Sequence, residues 1–104
     1  MDDALRDRIK STIESHKIVL FMKGNKNFPQ CGFSAQVLGL LKANGAEFKD
    51  VNILADAELR TGLKEYSNWP TFPQLYVNGQ LVGGCDIVLS LNESGELRST
   101  LGLS

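Results

Sequence analysis

The sequence is poor in the features that mark specialised proteins. It has two cysteines, three prolines, one tryptophan and one histidine in 104 residues. Two cysteines, Cys31 and Cys85, are too few for a disulfide framework. In a reducing compartment they are expected to be free thiols or chemically active. His16 has no cysteine or histidine partner nearby, so zinc is a weak reading, because structural zinc sites take four ligands. No apolar run approaches the ~18 residues that span a bilayer; the longest compact one, Ile18–Met22, is strand-sized. There is no basic excess either: 11 Lys and Arg stand against 12 Asp and Glu, a formal net charge of −1. Nucleic acid and anionic membranes favour a basic surface, so neither is expected as a partner. The start, Met1-Asp2-Asp3-Ala4, is acidic and has neither the basic-then-apolar pattern of a secretory signal nor the Arg-rich pattern of a transit peptide. A cytoplasmic, bacterial location is expected, with a matured organelle protein as the alternative. With no internal repeat, low-complexity tract or linker, residues 1–104 read as a single domain. That length buries a core without staples.

What is present is a regular succession of short elements. Leu5, Ile9 and Ile13 recur at four-residue spacing among charges and predict an amphipathic helix. Ile18–Met22 reads as a buried strand, followed by a polar loop, Lys23 to Gln30. Phe33, Val37, Leu38 and Leu41 fit a second helix, ended by Gly45. Phe48 to Ile53 reads as a strand; Leu59, Leu63 and Tyr66 mark a helix with Asp56 as N-cap. Trp69-Pro70-Thr71-Phe72-Pro73 breaks regularity. Asn78-Gly79 between two apolar runs is a hairpin signal, because both turn positions need positive φ. Asp86 is expected to cap a fourth helix running through Leu91, with Gly95 closing it and a short helix following from Glu96 to Leu101. The order α β α β α β β α α predicts an α/β protein: a parallel pair from the right-handed crossover, an added hairpin, and helices on both faces. A mixed four-stranded sheet flanked by helices suggests a thioredoxin-like fold.

Cys31 stands at the end of the first loop and the start of the second helix. A helix N-terminus offers free amides and partial positive charge, which favour thiolate over thiol. Lys23 adds to this if it points the same way. The thiolate is both nucleophile and metal ligand. A buried, inert cysteine is the bland alternative, but Pro29, Gln30 and Gly32 are poor core companions. Position 34 is Ser, not Cys. A hydroxyl does not resolve a mixed disulfide, so Cys31 depends on an outside thiol, or on Cys85 if that can reach it. An efficient protein disulfide reductase is not expected.

Around Cys31-Gly32-Phe33-Ser34 the sequence resembles the monothiol glutaredoxin family. The likeness extends to Phe21-Met22-Lys23-Gly24, Pro29-Gln30, Trp69-Pro70-Thr71-Phe72-Pro73-Gln74 and Gly83-Gly84-Cys85-Asp86. The resemblance implies a glutathione site. Lys23 and Arg60 match the family's positions for the glycine carboxylate, Phe72 precedes a Pro73 that the family holds in cis, and Cys85 and Asp86 match its γ-glutamyl site. It further implies a [2Fe–2S] cluster held by Cys31 of two chains and two glutathione thiols in a homodimer, with cluster storage, transfer and iron homeostasis as the role. Cys31 and Cys85 of two chains also make four thiolates and rank second. BolA-like proteins and iron–sulfur recipient proteins are the implied partners. The loop Gly24–Gln30 is longer than in the family's dithiol relatives. Two other functions stay open: a glutathione-dependent oxidoreductase removing glutathione from protein thiols through Cys31, and a sensor using a Cys31–Cys85 disulfide.

Overall fold

The computed structural model describes residues 1–103. In chain order the elements are α1 (Asp3–Glu14), β1 (Ile18–Met22), α2 (Gly32–Ala43), β2 (Lys49–Asn52), a 3-10 turn (Ile53–Ala55), α3 (Ala57–Ser67), β3 (Gln74–Val77), β4 (Gln80–Gly83), α4 (Cys85–Glu93) and α5 (Leu97–Thr100). The sheet order is β2-β1-β3-β4, with β1 parallel to β2 and antiparallel to β3, and β3 antiparallel to β4. This is the mixed four-stranded sheet that the element order predicts. No described helix is long and apolar enough to cross a membrane.

β1 explains why helices cover both faces. All five of its residues are buried, and successive side chains of a strand point to opposite faces. Ile18, Leu20 and Met22 join Val37, Leu38, Leu41, Val88, Leu97 and Leu101 from α2, α4 and the C-terminal helix. Val19 and Phe21 join Leu5, Ile9, Ile13, Leu59 and Leu63 from α1 and α3. There Phe21 meets Tyr76 edge to face, with ring centroids 5.5 Å apart. Burial pushes the Tyr76 phenol up to about 12, and its O–H donates to the fully buried Gln74 Oε1 at 3.0 Å.

Local signals account for most boundaries. Asp56 caps α3 by accepting from Leu59 N at 3.0 Å. Asn78 and Gly79 carry the hairpin with φ of 51° and 79°. Gly45, at φ 70°, follows the end of α2. β2 begins at Lys49 rather than Phe48, α4 runs to Glu93 rather than Leu91, and α5 spans Leu97–Thr100 rather than Glu96 to Leu101; two further differences have a visible cause. β2 ends at Asn52 rather than Ile53, because the Asn52 side chain accepts from Leu54 N at 2.9 Å and turns the chain into the 3-10 segment. Asp86 is not the cap of α4. Gly84 is the N-cap, and Asp86 lies exposed in the first turn. A side chain at 84 would crowd the wall opposite: a Cβ there would come within 3.2 Å of Pro73 O and 3.3 Å of Trp69 Nε1.

Candidate active site

The C-terminal end of β1 delivers the chain to the start of α2. Cys31 is the N-cap of that helix, extended at φ −151° and ψ 136°, with no side-chain capping bond. Its sulfur therefore meets amides with no intrahelical acceptor. The Ser34 backbone amide lowers the Cys31 pKa most. The Phe33 amide, the nearby Lys23 ammonium and the Ser34 hydroxyl add to it, against a smaller opposing effect of burial. Cys31 is a free thiol, only partly covered. The structure thus places a partly covered thiol with a lowered pKa at a helix start.

Ser34 has a second task that the sequence did not suggest. It is fully buried, and its Oγ accepts from Lys23 N at 3.1 Å. It ties the end of β1 to the first turn of α2 and so fixes the two walls between which Cys31 stands.

Cys31 opens onto a cleft of about 350 Å³, walled by Lys23, Phe33, Trp69, Thr71, Phe72, Gly84, Cys85, Asp86 and Ile87. Of the residues singled out from sequence, Lys23, Cys31, Phe72, Cys85 and Asp86 meet there. Pro73 follows Phe72 through a cis peptide bond at the same wall. Arg60 does not line the cleft. It lies half-buried on α3, with its Nε lacking a hydrogen-bond partner. Five wall residues were not singled out as site residues: Phe33, Trp69, Thr71, Gly84 and Ile87. Trp69 reads from sequence equally well as ordinary core. Phe33, placed among the apolar positions of α2, instead stands 61% exposed at the rim of the cleft.

The wall at 69–71 is held from beneath. Gln74 Nε2 donates to Trp69 O at 3.1 Å and to Thr71 O at 3.3 Å, while its Oε1 accepts from Tyr76 Oη at 3.0 Å. A buried amide whose donors and acceptor are engaged rigidifies what it touches.

The two thiols differ. Cys85 is buried at the first position of α4, and its Sγ donates to Gln36 Oε1 at 3.1 Å. Burial pushes its pKa up, and Asp86 and Cys31 push it further. Cys31 is thus the more accessible and the more readily ionised of the two thiols. Gln36 is a neighbour that no sequence pattern marks. Among the described residues, no group of three or more His, Cys, Asp or Glu side chains gathers to hold a metal ion.

A cysteine with a lowered pKa at the head of the helix after β1, with no second cysteine in that helix turn and a cis-proline wall opposite, defines a thiol protein of the thioredoxin fold. The chain belongs to the glutaredoxin family, in its monothiol branch. The Glutaredoxin family model matches residues 18–82. "Probable monothiol glutaredoxin 2" of Rickettsia conorii is 58% identical over 93 residues, covering 89% of this chain and 87% of that protein. The solution structure of reduced poplar apo GrxS14 is 54% identical, covers 94% of this chain and 90% of its own, and superposes with a TM-score of 0.82. The crystal structure of the holo form of glutaredoxin C1 from Populus tremula x tremuloides is 28% identical, covers 96% and 88%, and gives 0.86. In two longer relatives, from rice and Arabidopsis, this chain spans only 20% of the whole protein.

Proposed function

We propose that the chain binds glutathione in the Cys31 cleft. With that glutathione it shares a [2Fe–2S] cluster between two copies, storing and passing on iron–sulfur units and so serving iron homeostasis. The observation that carries this reading is the unequal pair of thiols. Such a cluster takes four thiolates. Each chain offers one accessible cysteine, Cys31, because Cys85 is buried and engaged with Gln36. Two copies of Cys31 leave two positions for thiols from outside the protein.

The cleft suits a small thiol tripeptide with two carboxylates and one amine. Lys23 stands beside Cys31 for one carboxylate. The first amides of α4 have no acceptor within their helix and suit the other, and exposed Asp86 suits the amine. Phe72 and the peptide before Pro73 form the wall along which an extended backbone would lie. Arg60, matched by the resemblance to the glycine carboxylate, reaches the ligand only if its side chain swings toward the cleft. The apolar rim, with Phe33 61% and Ile87 40% exposed, gives two copies a surface to bring together. The poplar relative solved in a holo form supports a bound group in this fold. BolA-like and recipient proteins follow from the resemblance.

The alternative is an enzyme, and the lowered pKa of Cys31 favours it. The Cys31 thiolate attacks the glutathione sulfur of a mixed disulfide, the protein thiolate leaves, and a second glutathione thiolate attacks the new Cys31–glutathione bond and frees Cys31 as glutathione disulfide departs. Anaerobic reconstitution with iron, sulfide and glutathione separates the two readings. A coloured dimer, lost in Cys31→Ser and kept in Cys85→Ser, is the outcome expected. A colourless monomer that rapidly turns over glutathionylated substrate contradicts it.

A further inference from the structure

The loop between β1 and Cys31 is bound to the neighbouring strand by side chains rather than by a sheet ladder. Gly24 N donates to Asn52 Oδ1 at 3.0 Å, and Lys26 N donates to Asp50 Oδ2 at 2.8 Å. The two donors are alternate residues of the loop, and the two acceptors are alternate residues of β2. Alternate side chains of a strand share one face, so Asp50 and Asn52 form a short rail along which the loop lies. Val51, between them, packs the other way, against the core of α1 and α3.

Lys26 is gripped further. Its ammonium donates to Phe48 O at 3.0 Å, stands 3.9 Å from Asp50 Oδ1 and lies 4.5 Å from the centre of the Phe48 ring. Its carbonyl accepts from Lys42 Nζ, at the end of α2, at 2.8 Å. One loop residue is thereby fixed to β2 on one side and to α2 on the other. The Asp50 side chain is only 21% exposed, so its bond to the Lys26 amide is charge-assisted and partly shielded from water.

We propose that Asp50, with Lys26 as its counterpart, is a positioning residue for Cys31: it holds the loop on β2 so that Cys31 keeps its N-cap geometry and Lys23 its place on the cleft. The proposal rests on the reading of Cys31 as the reactive group. The loop's neck, where Gln30 N donates to Lys23 O at 2.9 Å and Gly24 bridges Pro29, ties the loop only to itself. It does not decide where the loop as a whole sits against the sheet. That is decided by Asn52 at the base and by Asp50 farther out, with Lys42 of α2 holding the Lys26 carbonyl from the other side. Gln30 directly precedes Cys31, so a displacement of the loop is carried by the backbone into the sulfur's contacts with the Phe33 and Ser34 amides. Gly24 makes the close approach possible: at φ 95°, a Cβ there would collide with Phe28 O and lie 2.7 Å from Gln30 N.

The test compares Asp50→Ala and Asp50→Asn with wild type in the full chain. Amide exchange at Lys26 and the amide shifts of Phe33 and Ser34 are read by NMR, and the rate of Cys31 alkylation at one pH by mass spectrometry of its peptide. In Asp50→Ala the Lys26 amide is expected to exchange about tenfold faster, as follows from losing a hydrogen bond to a charged acceptor. The Phe33 and Ser34 amides shift and Cys31 alkylation slows. Asp50→Asn retains an oxygen for the amide and brings shifts and rate most of the way back, which a loss of folding would not do. If Lys26 exchange is unchanged, no clasp exists. If exchange quickens but the Phe33 and Ser34 shifts stay as in wild type, the loop is held without positioning the sulfur, and the proposal falls. Failure of the underlying reading looks different: Cys31 is alkylated no faster than Cys85 already in wild type.

Discussion

Ser34 occupies the place where a second thiol would stand three residues after Cys31, and it does structural work there. Its hydroxyl accepts the Lys23 N–H and also helps hold Cys31 ionised. Ser34→Ala leaves a partly buried amide unpaired, at a cost of about 1–2 kcal/mol. It also raises the Cys31 pKa. Urea denaturation reads the first effect and the pH dependence of alkylation the second; an unchanged profile would remove Ser34 from the account of Cys31. The two thiols themselves should separate in pH. Cys31 alkylates with a midpoint below the ordinary thiol value and Cys85 above it. The sign for stability follows. Because the Cys31 pKa is lowered on folding, its ionisation favours the native state. That contribution is complete above the ordinary thiol value and is lost as pH falls through the folded one. Cys31→Ser removes this slope between the two values, measured by denaturation at a series of pH values.

The elements show which parts of this architecture are legible in the sequence. Helices and strands with a buried stripe announce themselves: Leu5, Ile9 and Ile13 are all buried on one face of α1, as their spacing requires. The hairpin is equally plain, since Asn78-Gly79 supplies both left-handed residues. Cys31, Lys23, Phe72, Cys85 and Asp86 could be assigned to one site because a recognisable motif surrounds them, and the fold brings them to one cleft. What the sequence hides is contact between distant side chains. Nothing in the spacing of Asp50 and Lys26, or of Gln36 and Cys85, indicates that they touch. Gln74 is another case, a polar residue inside an apolar strand whose value lies in the carbonyls it holds on the adjoining segment. Gln74→Leu would leave Tyr76 Oη and the carbonyls of Trp69 and Thr71 without their partner, destabilising the fold by about 2–3 kcal/mol. It would also loosen the cleft wall, so glutathione binding measured by calorimetry should weaken more than in a surface variant of equal stability. Equal binding would mean the wall does not depend on Gln74.

At the scale of the whole molecule, the sheet and its helices form a rigid mount for one asymmetric end. β1 and α2 present the reachable sulfur, the 69–73 segment and α4 build the facing wall, and the loop on β2 closes the remaining side. Two features of this end fit the proposed pairing of two copies: one accessible cysteine, and an apolar rim of Phe33 and Ile87 with Phe28 73% exposed on the loop. In the proposed assembly two copies and two glutathiones complete one another. The most direct measurement is the composition of the anaerobically reconstituted, gel-filtered protein, with iron, sulfide, glutathione and molar mass determined on the same fraction. The account predicts a dimer holding one iron, one sulfide and one glutathione per chain. A coloured species without glutathione, or one that keeps its iron as a monomer, would contradict it.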